Sequence, residues 1–178
     1  MILFFCMKIQ IIGYSGSGKS TLAIKLGKLF NIPVLHLDVT KFYGDWQERT
    51  VEEQNKIVQE FLDKNENWVI DGNYTKICPQ RFEESDMTIY LNFNRLFCFF
   101  SAYRRYKKYR HKHRESLPCN DKFDKTFRNW LLFSGRTKER AIKNLENLNK
   151  TKGQKYIFKN RRQVNKFVQK LENEIKQK

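Results

Sequence analysis

The chain has 178 residues, 40% of them hydrophobic with 15 Phe and 8 Tyr, which suits one α/β domain, residues 1–178, carrying a small insertion. Lys and Arg outnumber Asp and Glu by 35 to 19, and the net charge of +16 favours anionic partners such as nucleotides, nucleic acid or acidic surfaces. Cys6, Cys78, Cys98 and Cys119 form no C-x-x-C pair, which argues against a zinc site or a disulfide framework and for reduced thiols in a cytoplasmic protein.

Met1 to Cys6 is apolar but too short for a signal-peptide core or a membrane span, and Met7 opens the first structured segment directly. Met7 to Ile12 is a short apolar run rich in β-branched residues and predicts a buried strand. Gly13 to Thr21 reads G-Y-S-G-S-G-K-S-T, a full match to the phosphate-cradling P-loop G-x-x-x-x-G-K-[ST]. Leu22, Ala23, Leu26, Leu29 and Phe30 then recur at helical spacing, so the string has the strand–loop–helix setting it requires. Gly13, Ser15, Gly16, Ser17, Gly18, Lys19, Ser20 and Thr21 are the expected ATP-binding residues. Glycines let the backbone N–H groups close on phosphate oxygens, and the helix start adds its positive end. Lys19 is placed to reach the β- and γ-phosphates, and the Ser20 hydroxyl to ligate Mg²⁺.

Asn31 to Pro33 turns the chain into a second short strand, Val34 to Leu37, that ends at Asp38. Ligands of open parallel sheets bind beyond the carboxyl ends of the strands, so Asp38 falls on the P-loop rim. It either binds and activates the attacking group or caps the loop. Phe42, Tyr43 and Trp46 either wall a substrate pocket or cover core. Thr50 with Glu53 is a capping box that opens a helix through Val51, Ile57, Val58, Phe61 and Leu62. Trp68 to Gly72 is a third strand ending in a carboxylate, and Asp71 is expected to orient Mg²⁺ through a bound water. Asn73, Tyr74 and Arg81 follow on the same rim as candidate substrate contacts, with Trp46.

Met87 to Phe93 predicts a fourth strand. Arg95 to Arg110 predicts a helix with Leu96, Phe99, Phe100, Tyr103 and Tyr106 as its apolar stripe. Its other face is basic: Arg95, Arg104, Arg105, Lys107, Lys108 and Arg110 run on to Lys112 and Arg114 with no acid among them. Such a face is either simply solvated or a phosphate clamp. His111 to Asp121 breaks the pattern as a lid or insertion. Helices follow at Phe123 to Phe133 and Thr137 to Leu148, then a last strand at Gly153 to Phe158 and a C-terminal helix at Arg162 to Lys176.

The P-loop, His36-Leu37-Asp38, the run Trp68 to Tyr74, Arg81 and the basic helix before a lid together resemble the adenylate-kinase-like P-loop proteins known as DNA topology modulation proteins, or FlaR. The resemblance covers nearly the whole chain. It implies a three-layer α/β sandwich of the P-loop NTPase class, a five-stranded parallel sheet of order 2-3-1-4-5, a helical lid over roughly residues 104–136, ATP binding and phosphoryl transfer. In that family Asp71 corresponds to the Mg²⁺-orienting Asp of adenylate kinases, whose string is D-G-F-P-R. Here Asn73-Tyr74-Thr75 stands in place of F-P-R, so the arginine contact to a nucleoside monophosphate is missing at that spacing and Arg81 is the substitute. The lid has only Cys119, unlike four-cysteine zinc lids.

Two functions follow. The first is a kinase that uses ATP and Mg²⁺ on a nucleotide-like or other small acceptor. In it Lys19, Asp38, Arg104 and Arg136 do the catalytic work, and Arg110 or Arg140 are further phosphate clamps. The second is a nucleotide-switched protein that contacts DNA through the basic helix, although no helix-turn-helix, zinc finger or RNA-binding string occurs. A GTPase is disfavoured, because no D-x-x-G follows a strand and Asn149-Lys150-Thr151-Lys152 lacks the base-reading Asp.

Overall fold

The computed structural model describes residues 7–43, 46–111 and 116–177. The apolar segment Met1 to Cys6, and Lys112 and Arg114 of the basic run, lie outside those residues.

Five strands, β1 (Lys8–Gly13), β2 (Val34–His36), β3 (Trp68–Asp71), β4 (Met87–Leu91) and β5 (Gln154–Phe158), form one parallel sheet in the order β2-β3-β1-β4-β5. Both faces are covered, which is why the central strands read as near-continuous apolar runs rather than alternating ones. On one face Ile9, Ile11, Ile89 and Leu91 pack against Leu22 and Leu26 of α1 (Lys19–Phe30) and Val164, Val168 and Leu171 of α8 (Arg161–Lys176). On the other, Trp68 and Ile70 meet Val58 of α3 (Val51–Lys64). There too Ile12 and Tyr90 meet Phe82 of α4 (Arg81–Glu84) and Leu148 of α7 (Lys138–Lys150). The architecture is the expected three-layer sandwich. The Thr50–Glu53 capping box also forms in both directions.

Three local expectations are corrected. The chain past His36 is not a strand through Leu37 but a short helix, α2 (Leu37–Lys41), so Asp38 sits in its first turn. Leu37 turns inward under Gly72, where an added Cβ would stand 2.8 Å from the Leu37 Cβ. Second, the apolar stripe assigned to α5 (Arg95–Tyr109) does not face the core, for Leu96 and Phe100 are each 57% exposed. The buried side chains are the small Cys98 and Ala102.

Arg81 is the third correction, since it is not a substrate contact. It is fully buried, and its donors go inward: Nε to Gln10 Oε1 at 3.0 Å, Nη1 to the Ile77 carbonyl at 2.5 Å and Nη2 to the Tyr74 carbonyl at 3.0 Å. Burial draws its pKa down to about 10, so it is still charged at neutral pH. It ties the loop after β3 to β1. Arg81→Met leaves those acceptors unpaired in the interior and is expected to cost about 2–4 kcal/mol of folding stability, read from the urea midpoint. Full stability with weakened substrate binding would return the guanidinium to the substrate site.

Candidate active site

The chain leaves β1 at Gly13 and enters α1 at Lys19 through a turn that places Gly16 at φ +78° and Gly18 at φ +91°. These are left-handed conformations that side chains resist. Space is closed as well, because a Cβ at Gly16 would stand 2.3 Å from the Cys98 carbonyl oxygen. This approach sets the phase of α5: the turn that meets the glycine loop must carry small residues, and the large aromatics rotate outward. The Ser17 amide donates to the Tyr14 carbonyl at 3.1 Å and closes the turn. Ser17 Oγ, by contrast, is buried with no hydrogen-bond partner among the described residues. An orphaned hydroxyl in a glycine loop at a helix start fits an anion that completes the set.

Lys19 Nζ donates to the Tyr14 carbonyl at 3.2 Å. Burial lowers its pKa, and the carboxylates of Asp71 and Asp38 act against that shift. Asp71 at the end of β3 and Asp38 in the first turn of α2 thus both act on the Lys19 ammonium. Asp71 is nearly buried, and its two oxygens are held from different elements: Ser20 Oγ donates to Oδ2 at 2.8 Å and His36 Nδ1 to Oδ1. A hydroxyl and a carboxylate oxygen joined in this way form the sparse oxygen set that Mg²⁺ accepts alongside water and phosphate. Ser20 and Asp71 are the residues that would hold it. Among the described residues no group of three or more His, Cys, Asp or Glu competes as a metal site.

Asp38 lies across the same cleft and accepts a hydrogen bond from Tyr74 Oη at 2.6 Å. Burial, and then the Asp38 charge, pushes the Tyr74 phenol far above its usual range, so it stays a donor. Asn73 turns its amide to the main chain, accepting from the Gly13 N–H at 2.8 Å and donating to the Gly13 carbonyl at 2.8 Å. It thereby pins the end of β3 to the P-loop while lining the cleft. Trp46 lines it too, with its ring edge-on to Phe42 at 5.1 Å and its main-chain N–H donating to Cys119 Sγ at 3.3 Å, so aromatic loop and lid meet. The cleft encloses about 890 Å³.

Arginine positions differ from expectation. Arg104 is exposed on α5 and does not line the cleft; Arg105 does, paired with Asp121 at 3.3 Å. Arg105 follows Cys98 and Ala102 at helical spacing, so the phase set by Gly16 selects it. Arg136 stays off the cleft wall. Its Nη1 donates to the Phe93 carbonyl at 2.9 Å and its Nε to the Leu131 carbonyl at 3.0 Å, and its guanidinium stacks 4.0 Å over Tyr14. It latches the lid's return to the loop. Arg140 reaches the cleft stacked 4.3 Å over Trp130 of α6 (Lys125–Leu132). Sequence reasoning gave no site role to His36 or Trp130, and named Arg105 only as one of the basic face of α5. For His36 the signal was present, in a histidine at the end of a strand that neighbours the one ending in Asp71.

No protein-family model matches the chain and no curated protein does, so the likeness to the DNA topology modulation proteins remains one of motifs. Solved structures do match. Shikimate kinase from Bacteroides thetaiotaomicron aligns with a TM-score of 0.54 at 19% identity, over 96% of this chain and 98% of that one. Shikimate kinase from Acinetobacter baumannii in complex with shikimate aligns at 0.58 and 13% identity, over 96% and 93%. An uncharacterized protein from Eubacterium ventriosum aligns at 0.50 and 14%, over 97% and 99%. The fold is therefore that of the P-loop kinases, across the full chain.

His36→Ala would leave the Asp71 carboxylate buried with one partner fewer. It is expected to lower stability by about 1–3 kcal/mol in a thermal or urea melt. An unchanged melt would mean that His36 does not hold Asp71.

Proposed function

We propose that the protein is an ATP-dependent phosphotransferase acting on a small, hydroxyl-bearing acceptor. The observation that carries this reading is the convergence on one cleft of the glycine loop, the Lys19 ammonium, the Ser20–Asp71 pair and the Asp38–Tyr74 pair. The fold neighbours named shikimate kinase, one of them holding shikimate, support an acceptor of that size.

In this reading the P-loop amides and Ser17 cradle the β- and γ-phosphates while Lys19 neutralises charge on them. Ser20 and, through water, Asp71 would hold Mg²⁺, which would supply charge compensation for the phosphates there. Asp38 takes the proton of the acceptor hydroxyl as its oxygen bonds to the γ-phosphorus and the bond from that phosphorus to the β–γ bridging oxygen breaks, releasing ADP. Tyr74 fixes the Asp38 carboxylate for that task, and Trp46 and Asn73 wall the acceptor. Arg105 and Arg140 stand over the transferred group in the part first given to Arg104 and Arg136. Positioning and charge compensation supply most of the acceleration in such reactions. DNA contact through α5 rests on exposed charge at Arg104, Lys107 and Lys108 and has no groove or motif behind it.

The test is an ADP-release screen over nucleosides, nucleoside monophosphates and hydroxylated metabolites. Lys19→Ala is expected to weaken ATP binding about tenfold or more and to reduce turnover to background. Asp38→Asn is expected to bind ATP normally and lose about 100-fold in kcat. Nucleotide binding untouched by Lys19→Ala would refute the assignment.

A further inference from the structure

We infer that Arg161, the first residue of α8, contacts the phosphates nearest the nucleoside of the bound nucleoside triphosphate. This rests on the ATP reading of the same cleft. Three observations carry it. The Arg161 guanidinium lies against the glycine loop: a Cβ at Gly18 would stand 2.5 Å from Nη2 and 3.1 Å from Cζ. It lines the cleft together with Gly18, Lys19 and Ser20. It is half-buried, and among the described residues no carboxylate pairs with it; its one ring neighbour is Phe93, 6.0 Å away.

A half-buried cation one residue from Lys19, in a chain of net charge +16, is at a disadvantage unless an anion joins it. Its place in the sheet says which anion. Asp38, Asp71 and Tyr74 come from the β2–β3 side of the P-loop, whereas Arg161 follows β5 on the opposite side. It therefore stands across the P-loop from the Asp38–Tyr74 pair, against Gly18, on the side left for the nucleotide rather than the acceptor. Its position is rigid: Asn160 caps α8 by accepting from the Gln163 amide at 3.0 Å, and Val164 and Val168 anchor the same turns in the core. A planar guanidinium presents paired donors to phosphate oxygens, which a lysine ammonium does only as a point charge.

The test is calorimetric binding of Mg-ATP, Mg-ADP and inorganic tripolyphosphate to the wild type, Arg161→Ala, Arg161→Gln and Arg161→Lys. The expected result is a loss of about tenfold in affinity for all three ligands in the Ala and Gln variants and partial recovery in the Lys variant. Should the Ala variant melt early, the Gln and Lys variants decide. Unchanged affinities overturn the inference and leave the ATP reading standing. A loss for the nucleotides without one for tripolyphosphate also overturns it, by placing Arg161 on the base. A wild type that binds none of the three defeats the ATP reading itself.

Discussion

The Asp71 carboxylate is the point on which the rest of the site depends. A carboxylate 5% exposed is stable only when its lone pairs are filled. Here the fillers come from two other elements, the first turn of α1 through Ser20 and the end of β2 through His36. Parallel register brings them together, for Asp71 stands beside His36 on one side and beside Ile11 of β1 on the other. A one-residue slip of β3 would turn Asp71 to the opposite face, and the same slip of β2 would turn His36 away from it. The placement of Asp71 thus depends on the sheet being in register, and from that place its carboxylate acts against the desolvation of the Lys19 ammonium.

What could be read from the chain was whatever is local. The P-loop string, the strand and helix that flank it and the Thr50–Glu53 box are determined within a few residues of themselves, and each formed as expected. The phase of α5 is not local. A helix carrying Leu96, Phe99, Phe100 and Tyr103 suggests an inward aromatic stripe by periodicity. Yet the Gly16 backbone, remote along the sequence, lies against the α5 main chain at Cys98, and the side chains α5 buries are Cys98 and Ala102. The same contact moves the cleft-facing arginine from 104 to 105. Arg81 misled for a related reason, since an arginine after a strand end resembles a ligand clamp until its carbonyl partners are seen. Asp38 was placed on the right rim but on a helix rather than a strand end, because Leu37 is drawn under Gly72.

Three cations of the cleft are held before any ligand arrives, and that arrangement separates this part of the site from a merely basic surface. Arg105 lies against Asp121, Lys41 against Glu48 at 2.8 Å, and Arg140 against the face of Trp130. Each partner fixes a long side chain that would otherwise lose rotamer freedom on binding. Charge compensation from groups already in place requires little reorganisation as the reaction proceeds, which is where such compensation is most effective. The three partners differ in consequence. An incoming phosphate must compete with the Asp121 and Glu48 carboxylates for Arg105 and Lys41, but it can add to the Arg140–Trp130 stack without displacing anything. Arg140 is therefore the cation of these three that can engage an anion at the smallest cost, while Arg105 and Lys41 exchange one carboxylate for another ligand only when the anion in the cleft is the stronger partner.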